Sequence, residues 1–418
     1  MPLFGMHLSP LLRRVKLLLL MPEKNNKIRN IALVVYSHYS RDARVRRYAD
    51  ALSGLNYSVD VICLKENYRS NNPNIKLIRY PFERKRLPGA YRYIFEYLFF
   101  FLYSLILLSL KNLNNKYSLI HVNNMPDFLV FSTVIPKLTG TKVILDMHDP
   151  MPELFMSKFR VNKNHQIVKF LILMEKISFI YSDFLLTANP EFKKIFKSRQ
   201  TIDLNNKMEI ILNCPDYKLI HKKSIQKKKN SHFNLTYMGT IDERFELHIP
   251  IQSLPFLVKE IPDIRLNIIP KIIHEGKYFL QLKKMIGLLK LGKFVRIYPP
   301  QSLENLVDLI SFTDIGIVLA ESGIFSQSIM PVKLLEFIQL EIPVIATRTR
   351  SLEKNFTPEA INFIEYNNIY SFSQAVLKLY GNELLRNNFV SKAKSYLTIH
   401  NWKKEKIKYE KIITGLTG

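Results

Sequence analysis

The stretch SIMPVKLLEFIQLEIPVIAT, residues 328–347, sets a proline, a lysine and a glutamate at a spacing suited to holding a phosphorylated ligand. Pro331 fits the opening turn of a helix, where its missing N–H costs no hydrogen bond. Lys333 and Glu336 then fall at i and i+3 on one side of a helix over about 331–340. Leu334, Leu335 and Ile338 gather on the other side. The start of such a helix carries partial positive charge and free backbone N–H groups, so a phosphate is stabilised there. Lys333 adds a full charge. Glu336 can accept hydrogen bonds from vicinal hydroxyls such as those of a ribose. Spacing alone fits a solvent-exposed ion pair equally well, a contact worth under about 1 kcal/mol.

Holding such groups in place needs a scaffold, and the chain reads as an α/β one. IRNIALVVYS, from residue 28, is a strand, HYSRD a polar loop, and ARVRRYADALSGL a helix that Asp42 can cap. VDVICL, NIKLIRYP, SLIHVN, KVILDMHD and DFLLTAN read as further strands. PDFLVFSTVIPKLTG reads as a helix ending on Gly140, and residues 166–181 as another helix. The signal weakens over 190–230, where HKKSIQKKKN marks a basic junction. The alternation resumes with HFNLTYMGT and runs through IRLNIIP, FVRIYP, DIGIVLA, IPVIAT and INFIEY. This order predicts two Rossmann-like, doubly wound parallel-sheet domains facing a central cleft. The expected boundaries are a leader at 1–27, a first domain at 28–200, a linker at 201–231 and a second domain at 232–375. C-terminal helices at 376–418 are expected to pack back towards the first domain. Ligands of such sheets bind at the carboxyl ends of the strands, so the cleft is the expected site.

A chain of 418 residues exceeds one ordinary core, which agrees with two domains. Cys63 and Cys214 lie far apart, without metal spacing or a disulfide framework, which suits a reducing compartment. Lys and Arg number 61 against 35 Asp and Glu, a balance of +26 that favours polyanions, anionic lipid surfaces or phosphorylated substrates. Charge does not choose among these, and coding bias towards Lys accounts for part of it equally well. No zinc spacing, RNP-like motif or helix-turn-helix signature points to nucleic acid. The start, MPLFGMHLSPLLRRVKLLLLMP, fits an amphipathic membrane-touching helix or a frayed leader equally. IFEYLFFFLYSLILLSL, residues 94–110, is shorter than the about 20 residues of a spanning helix and holds Glu96. It reads as a core helix or as one half-sunk in a bilayer surface ahead of a spanning one, which stays open.

The 328–347 stretch resembles the C-terminal signature of GT-B retaining glycosyltransferases of family 4 (glycosyl transferase group 1), bacterial surface-polysaccharide type. In that signature a P-x-K-x-x-E helix precedes a P-V-I-A strand. YSRDARVRRYADAL is similar to the family's first loop and helix, and IHVNNMPDF and VILDMHDPMPELF to strand-end segments of one bacterial branch. NLTYMGTIDERFELH is similar to the strand and phosphate-binding loop that open the second domain. PDIRLNIIP and DIGIVLA fall where the family has its next strands. The resemblance spans about 28–375.

The resemblance implies roles by position. Glu336 would hold the nucleotide ribose as the second glutamate of an E-x7-E pair. Lys333 would contact the diphosphate, together with the backbone from Ile329 through Pro331 and Val332. Arg244, in the loop after Gly239, would be a basic diphosphate ligand. His148 would stand near the reacting sugar, so His148, Lys333 and Arg244 form the catalytic set. Asp149 would orient His148 or hold a hydroxyl, and Arg41, Asp42 and Arg44 would lie near the acceptor. His121 and Asn123 suit the cleft lining or packing, and Asn213 a structural role in the linker. Two departures stand out: Ser328 occupies the first position of the E-x7-E pair, and Pro270 replaces a glycine in NIIPKIIHEG.

The implied activity is transfer of a sugar from a UDP- or GDP-sugar, with retention, to a glycan or lipid-linked acceptor. No cofactor beyond the donor and no essential metal are expected. The implied setting is the cytoplasm, at the inner face of a bacterial plasma membrane. Two alternatives stay open. A nucleotide-sugar epimerase of the same fold would need cleft carboxylates to shuttle protons, with Asp149 and Glu153 as candidates. A basic membrane-surface protein would need no chemistry.

Overall fold

The computed structural model describes residues 29–83, 90–215, 231–271, 273, 276–301 and 303–418. The leader 1–27 and the basic run 221–230 lie outside them.

The first sheet has seven strands: β1 Asn30–Val35, β2 Ser58–Cys63, β3 Ile75–Arg79, β4 Tyr117–Asn123, β5 Lys142–Met147, β6 Phe184–Thr187 and β7 Met208–Ile210. Their order is β3-β2-β1-β4-β5-β6-β7. The second sheet holds β8 Phe233–Gly239, β9 Ile264–Pro270, β10 Val295–Ile297, β11 Ile315–Val318, β12 Val344–Thr347 and β13 Asn362–Ile364, in the order β10-β9-β8-β11-β12-β13. Every neighbouring pair is parallel. Strands covered on both faces must be apolar throughout, and β1 is buried from Ile31 to Val35. The order reverses between β1 and β4 and again between β8 and β11, and these switch points open the crevices that hold ligands.

Several elements depart from the sequence reading. The first sheet runs past residue 200, to β7 within the stretch read as linker. Residues 127–138 are not one helix but a 3-10 segment, Asp127–Thr133, followed by the short helix Val134–Leu138. Pro136 has no N–H to extend an α ladder back through that segment. The last helices divide between the domains. Glu383–Ile399 packs Ala393 and Tyr396 into the second core, and only Trp402–Thr417 returns to the first. There Tyr409 and Ile413 join the β1–β2 core, and Tyr57 Oη lies 2.8 Å from Thr417 Oγ1.

The domains also touch along one side of the cleft. Phe325, on the short helix Ile324–Ser328, enters the first domain's core and stacks on Phe192 with ring centres 6.1 Å apart. Ser157 Oγ donates to Glu321 Oε1 at 2.5 Å, and Lys354 Nζ to Glu191 Oε1 at 2.8 Å.

Candidate active site

The helix begun at 331 runs Val332–Gln339, with Pro331 in the cap position before it rather than in its first turn. Leu334, Leu335, Phe337 and Ile338 are buried. The helix lies close to β11 because Gly316 has no side chain: a Cβ there would stand 2.6 Å from the Phe337 ring. With that face committed to the core, Lys333 and Glu336 remain half-buried on the other side. Lys333 Nζ lies 4.4 Å from the centre of the Tyr237 ring and 4.3 Å from that of Phe245, an arrangement in which the ring faces attract a cation.

Gly239 ends β8 beside them with φ +138°, a conformation other residues rarely adopt. A Cβ there would meet Tyr237 Oη at 3.3 Å and Lys333 Cδ at 3.8 Å. Burial lowers the Lys333 ammonium to about 7, with Glu336 opposing the shift. Burial raises the Glu336 carboxyl, against the positive charges of Arg47, Lys271 and Lys333. Desolvation therefore drives both groups towards neutrality.

Arg244 sits in the 3-10 turn Glu243–Phe245, held by its own loop. Its Nε donates to Asp242 Oδ1 at 2.8 Å, and Asp242 also caps the turn by accepting from the Arg244 N–H at 3.2 Å. Burial raises the Asp242 carboxyl, but the Arg244 bonds outweigh it and leave the group below its ordinary value. Across the cleft, burial raises Asp149, while the charges of His148 and Arg244 oppose the shift.

The facing wall comes from the end of β5. His148 Nε2 lies 3.0 Å from Asp146 Oδ2 and 3.2 Å from Asn123 Oδ1. The His148 N–H donates to Asn124 Oδ1 at 2.8 Å, and Asn124 Nδ2 donates to the Asp149 carbonyl at 2.8 Å. Asn124 thus fixes the turn that presents both residues. A cavity of about 220 Å3 brings His148, Asp149, Asn189 and Asn213 together with Met330 and Val332 of the second domain.

Other expected site residues lie elsewhere. Arg44 is 4% exposed and does not face an acceptor. Its Nε and Nη2 bind both oxygens of Asp146, at 2.8 and 2.9 Å, and its Nη1 donates to the Ile211 carbonyl at 2.8 Å. Asp42 caps the helix Ala43–Gly54, accepting from the Val45 N–H at 3.1 Å. Arg41 is exposed on the turn before it. Ser328 Oγ donates to the Ile324 carbonyl at 3.0 Å, so its hydroxyl is turned back on its own helix. Glu153 is buried, with Oε1 taking a 2.5 Å bond from Arg199, and so is no cleft carboxylate. His121 is buried, its Nδ1 2.9 Å from Tyr409 Oη. Asn213 accepts from Arg47 Nη2 at 2.6 Å. Among the described residues no group of three or more His, Cys, Asp or Glu could hold a metal ion.

Sequence reasoning missed Asn124, Arg47, Tyr237 and Phe245. The two aromatics had a signal, since they bracket the Gly239–Arg244 loop. Asn124 and Arg47 had none, because what they hold lies far along the chain.

Comparison with known proteins agrees with this architecture. Residues 218–396 match the family model described as glycosyl transferases group 1. No curated protein sequence matches the chain. Among solved structures, a sucrose-phosphate synthase from Thermosynechococcus elongatus superposes with a TM-score of 0.70 at 15% identity, over 93% of this chain and 99% of that one. WaaG, a glycosyltransferase involved in lipopolysaccharide biosynthesis, gives 0.68 at 13% identity, over 92% and 100%. Anabaena HepE, crystallised with UDP and glucose, gives 0.68 at 11%, over 92% and 99%. The chain thus has the two-domain, parallel-sheet α/β fold of GT-B glycosyltransferases, with a match to the glycosyl transferases group 1 model over 218–396.

Proposed function

We propose that this protein is a retaining glycosyltransferase of family 4. It moves a sugar from a nucleotide-diphosphate sugar to a lipid-linked glycan acceptor in bacterial surface-polysaccharide or glycoconjugate assembly. The observation that carries the reading is the placement of Lys333: over two aromatic rings, at the start of Val332–Gln339. Val332 in turn shares a cavity with His148 and Asp149.

In this reading the bond between the anomeric carbon and the phosphate oxygen breaks. A bond to the acceptor hydroxyl oxygen forms on the same face, and the hydroxyl proton leaves with the nucleoside diphosphate. Lys333, the N–H groups at the helix start and Arg244 stabilise the charge that develops on the diphosphate. The chain's own cations fill that role, so no metal is required. Glu336 accepts the ribose hydroxyls. His148, steadied by Asp146, meets the sugar from the facing wall, and Asp149 takes a sugar or acceptor hydroxyl. Arg41 lies on the acceptor side. The UDP bound by HepE makes a uridine nucleotide the first donor to try, with GDP-sugars next. The enzyme works in the cytoplasm, at the inner face of the plasma membrane.

The test is a screen of UDP- and GDP-sugars with mass analysis of the products. An acceptor gaining one sugar supports the reading. Donor isomerised in the absence of acceptor would replace it with the epimerase reading, and failure of every nucleotide sugar to bind would end both.

A further inference from the structure

Three neighbouring pieces of the first domain turn apolar side chains to solvent. The helix Ala90–Asn114 packs inward through Phe100, Ser104 and Leu108, which are fully buried. Phe95, Phe99, Ile106 and Leu113 stand on its outer side, 58% to 72% exposed. The segment 127–138 lies alongside, with the Phe101 and Phe128 ring centres 5.9 Å apart, and presents Ile135 and Leu138. The helix Gln166–Tyr181 flanks its other edge, where the Phe131 and Tyr181 rings meet at 5.1 Å, and it presents Phe170, Ile177 and Ile180. Among the described residues, more than half of the exposed large apolar side chains sit on these three pieces. Apolar patches larger than a few hundred Å2 on a soluble protein mark a protein or membrane contact.

Charge selects the partner. No carboxylate between 95 and 181 is fully exposed. Asp127, Asp146, Glu153 and Glu175 are buried, Asp149 lines the cleft, and Glu96 takes a 2.9 Å bond from Tyr36 Oη. Exposed Lys169 lies on the helix Gln166–Tyr181 itself, and exposed Lys116 reaches to within 3.6 Å of where a Cβ on Gly140 would stand, just past Leu138. Cations bordering an apolar face match anionic headgroups above hydrocarbon. A second copy of the same face would set cations against cations, which opposes pairing.

We propose that this three-part face docks the protein on an anionic lipid bilayer, lying in the headgroup boundary. Phe95–Asn114 is long and apolar enough to cross a membrane by length and composition. Phe100 and Leu108 are nonetheless committed to the core under the sheet, and crossing would strip them from it. The Tyr36–Glu96 bond ties the helix Ala90–Asn114 to the end of β1, so docking sets the carboxyl end of β1 close to the lipid. The inference rests on the proposed setting at the inner membrane face and names the surface that reaches it, and it stands without the donor site.

The test is co-sedimentation of the full chain with phosphatidylcholine vesicles, with and without phosphatidylglycerol, at low and high salt. The wild type should bind the phosphatidylglycerol vesicles, and less so at high salt. Phe99→Asp with Ile106→Asp, and separately Phe170→Asp, should lower binding about tenfold or more. Thermal unfolding and UDP binding should stay unchanged in both variants, which reads folding independently. Wild-type-like vesicle binding by both variants would place the contact elsewhere and overturn the proposal. So would a wild-type dimer that ignores vesicles and is split by Phe99→Asp. Failure of UDP to bind the wild type would count against the donor site alone.

Discussion

The Lys333 ammonium lies 4.4 Å from the centre of the Tyr237 ring, and its burial brings its titration down to about 7. A lysine lowered this far is largely neutral above pH 7, whereas a diphosphate needs it charged. Donor binding should therefore take up a proton. The diphosphate of a nucleotide sugar has no group of its own titrating near 7, so the pH dependence belongs to the protein. Affinity should be highest below pH 7 and fall by up to about tenfold per pH unit above it. Calorimetry of a UDP-sugar in two buffers of different ionisation enthalpy would show this as net proton uptake at pH 8. Equal affinity at pH 6 and pH 8 would contradict a Lys333 that binds the diphosphate and titrates near 7.

Gly239 should resist substitution. Its φ of +138° and the 3.3 Å approach to Tyr237 Oη leave no relaxed place for a methyl group. Gly239→Ala should cost on the order of 1–3 kcal/mol of stability from backbone strain. It should also raise the donor KM, since Tyr237 and Lys333 must shift to admit the methyl. Denaturant unfolding and donor titration of the variant check both effects.

Arg44 serves the site from behind. Its guanidinium spans both oxygens of Asp146, and Asp146 in turn holds His148. Burial pushes the Asp146 carboxyl up, but Arg44, His148 and His121 overcome this and hold it well below its ordinary range. The folded value lies under the unfolded one, near 3.9. The pair's stabilisation is therefore present above about pH 4 and lost as pH falls through the folded value. Arg44→Ala leaves a buried carboxylate without its partner and should cost about 3–5 kcal/mol at neutral pH. Urea unfolding of wild type and variant across pH would show their difference shrinking in acid. A variant as stable as wild type at neutral pH would remove Arg44 from this role.

Most of the scaffold was legible because doubly wound sheets announce themselves. Apolar runs such as IALVV, VDVIC and VIAT alternate with helical patterns, and each run became a strand. The clamp helix was legible for the same reason, with Leu334, Leu335 and Ile338 marking its buried side. β7 was not, because three residues, MEI, carry too little periodicity to separate a strand from a loop. The 3-10 segment at 127–133 had an apolar pattern that a helix would also show. Arg44 was misplaced because its partner lies 102 residues away, and a loop-side arginine looks the same whether it faces a ligand or a buried aspartate. Ser328 was read by its position in a motif, whereas its hydroxyl is bonded to the Ile324 carbonyl.

The most direct test of the donor clamp is turnover of Lys333→Ala with the preferred nucleotide sugar and acceptor, measured beside its thermal unfolding. The account predicts a fall on the order of a hundredfold or more, as for loss of one group stabilising developing negative charge, with unfolding close to that of wild type. Turnover near the wild-type level in a folded Lys333→Ala protein would contradict it.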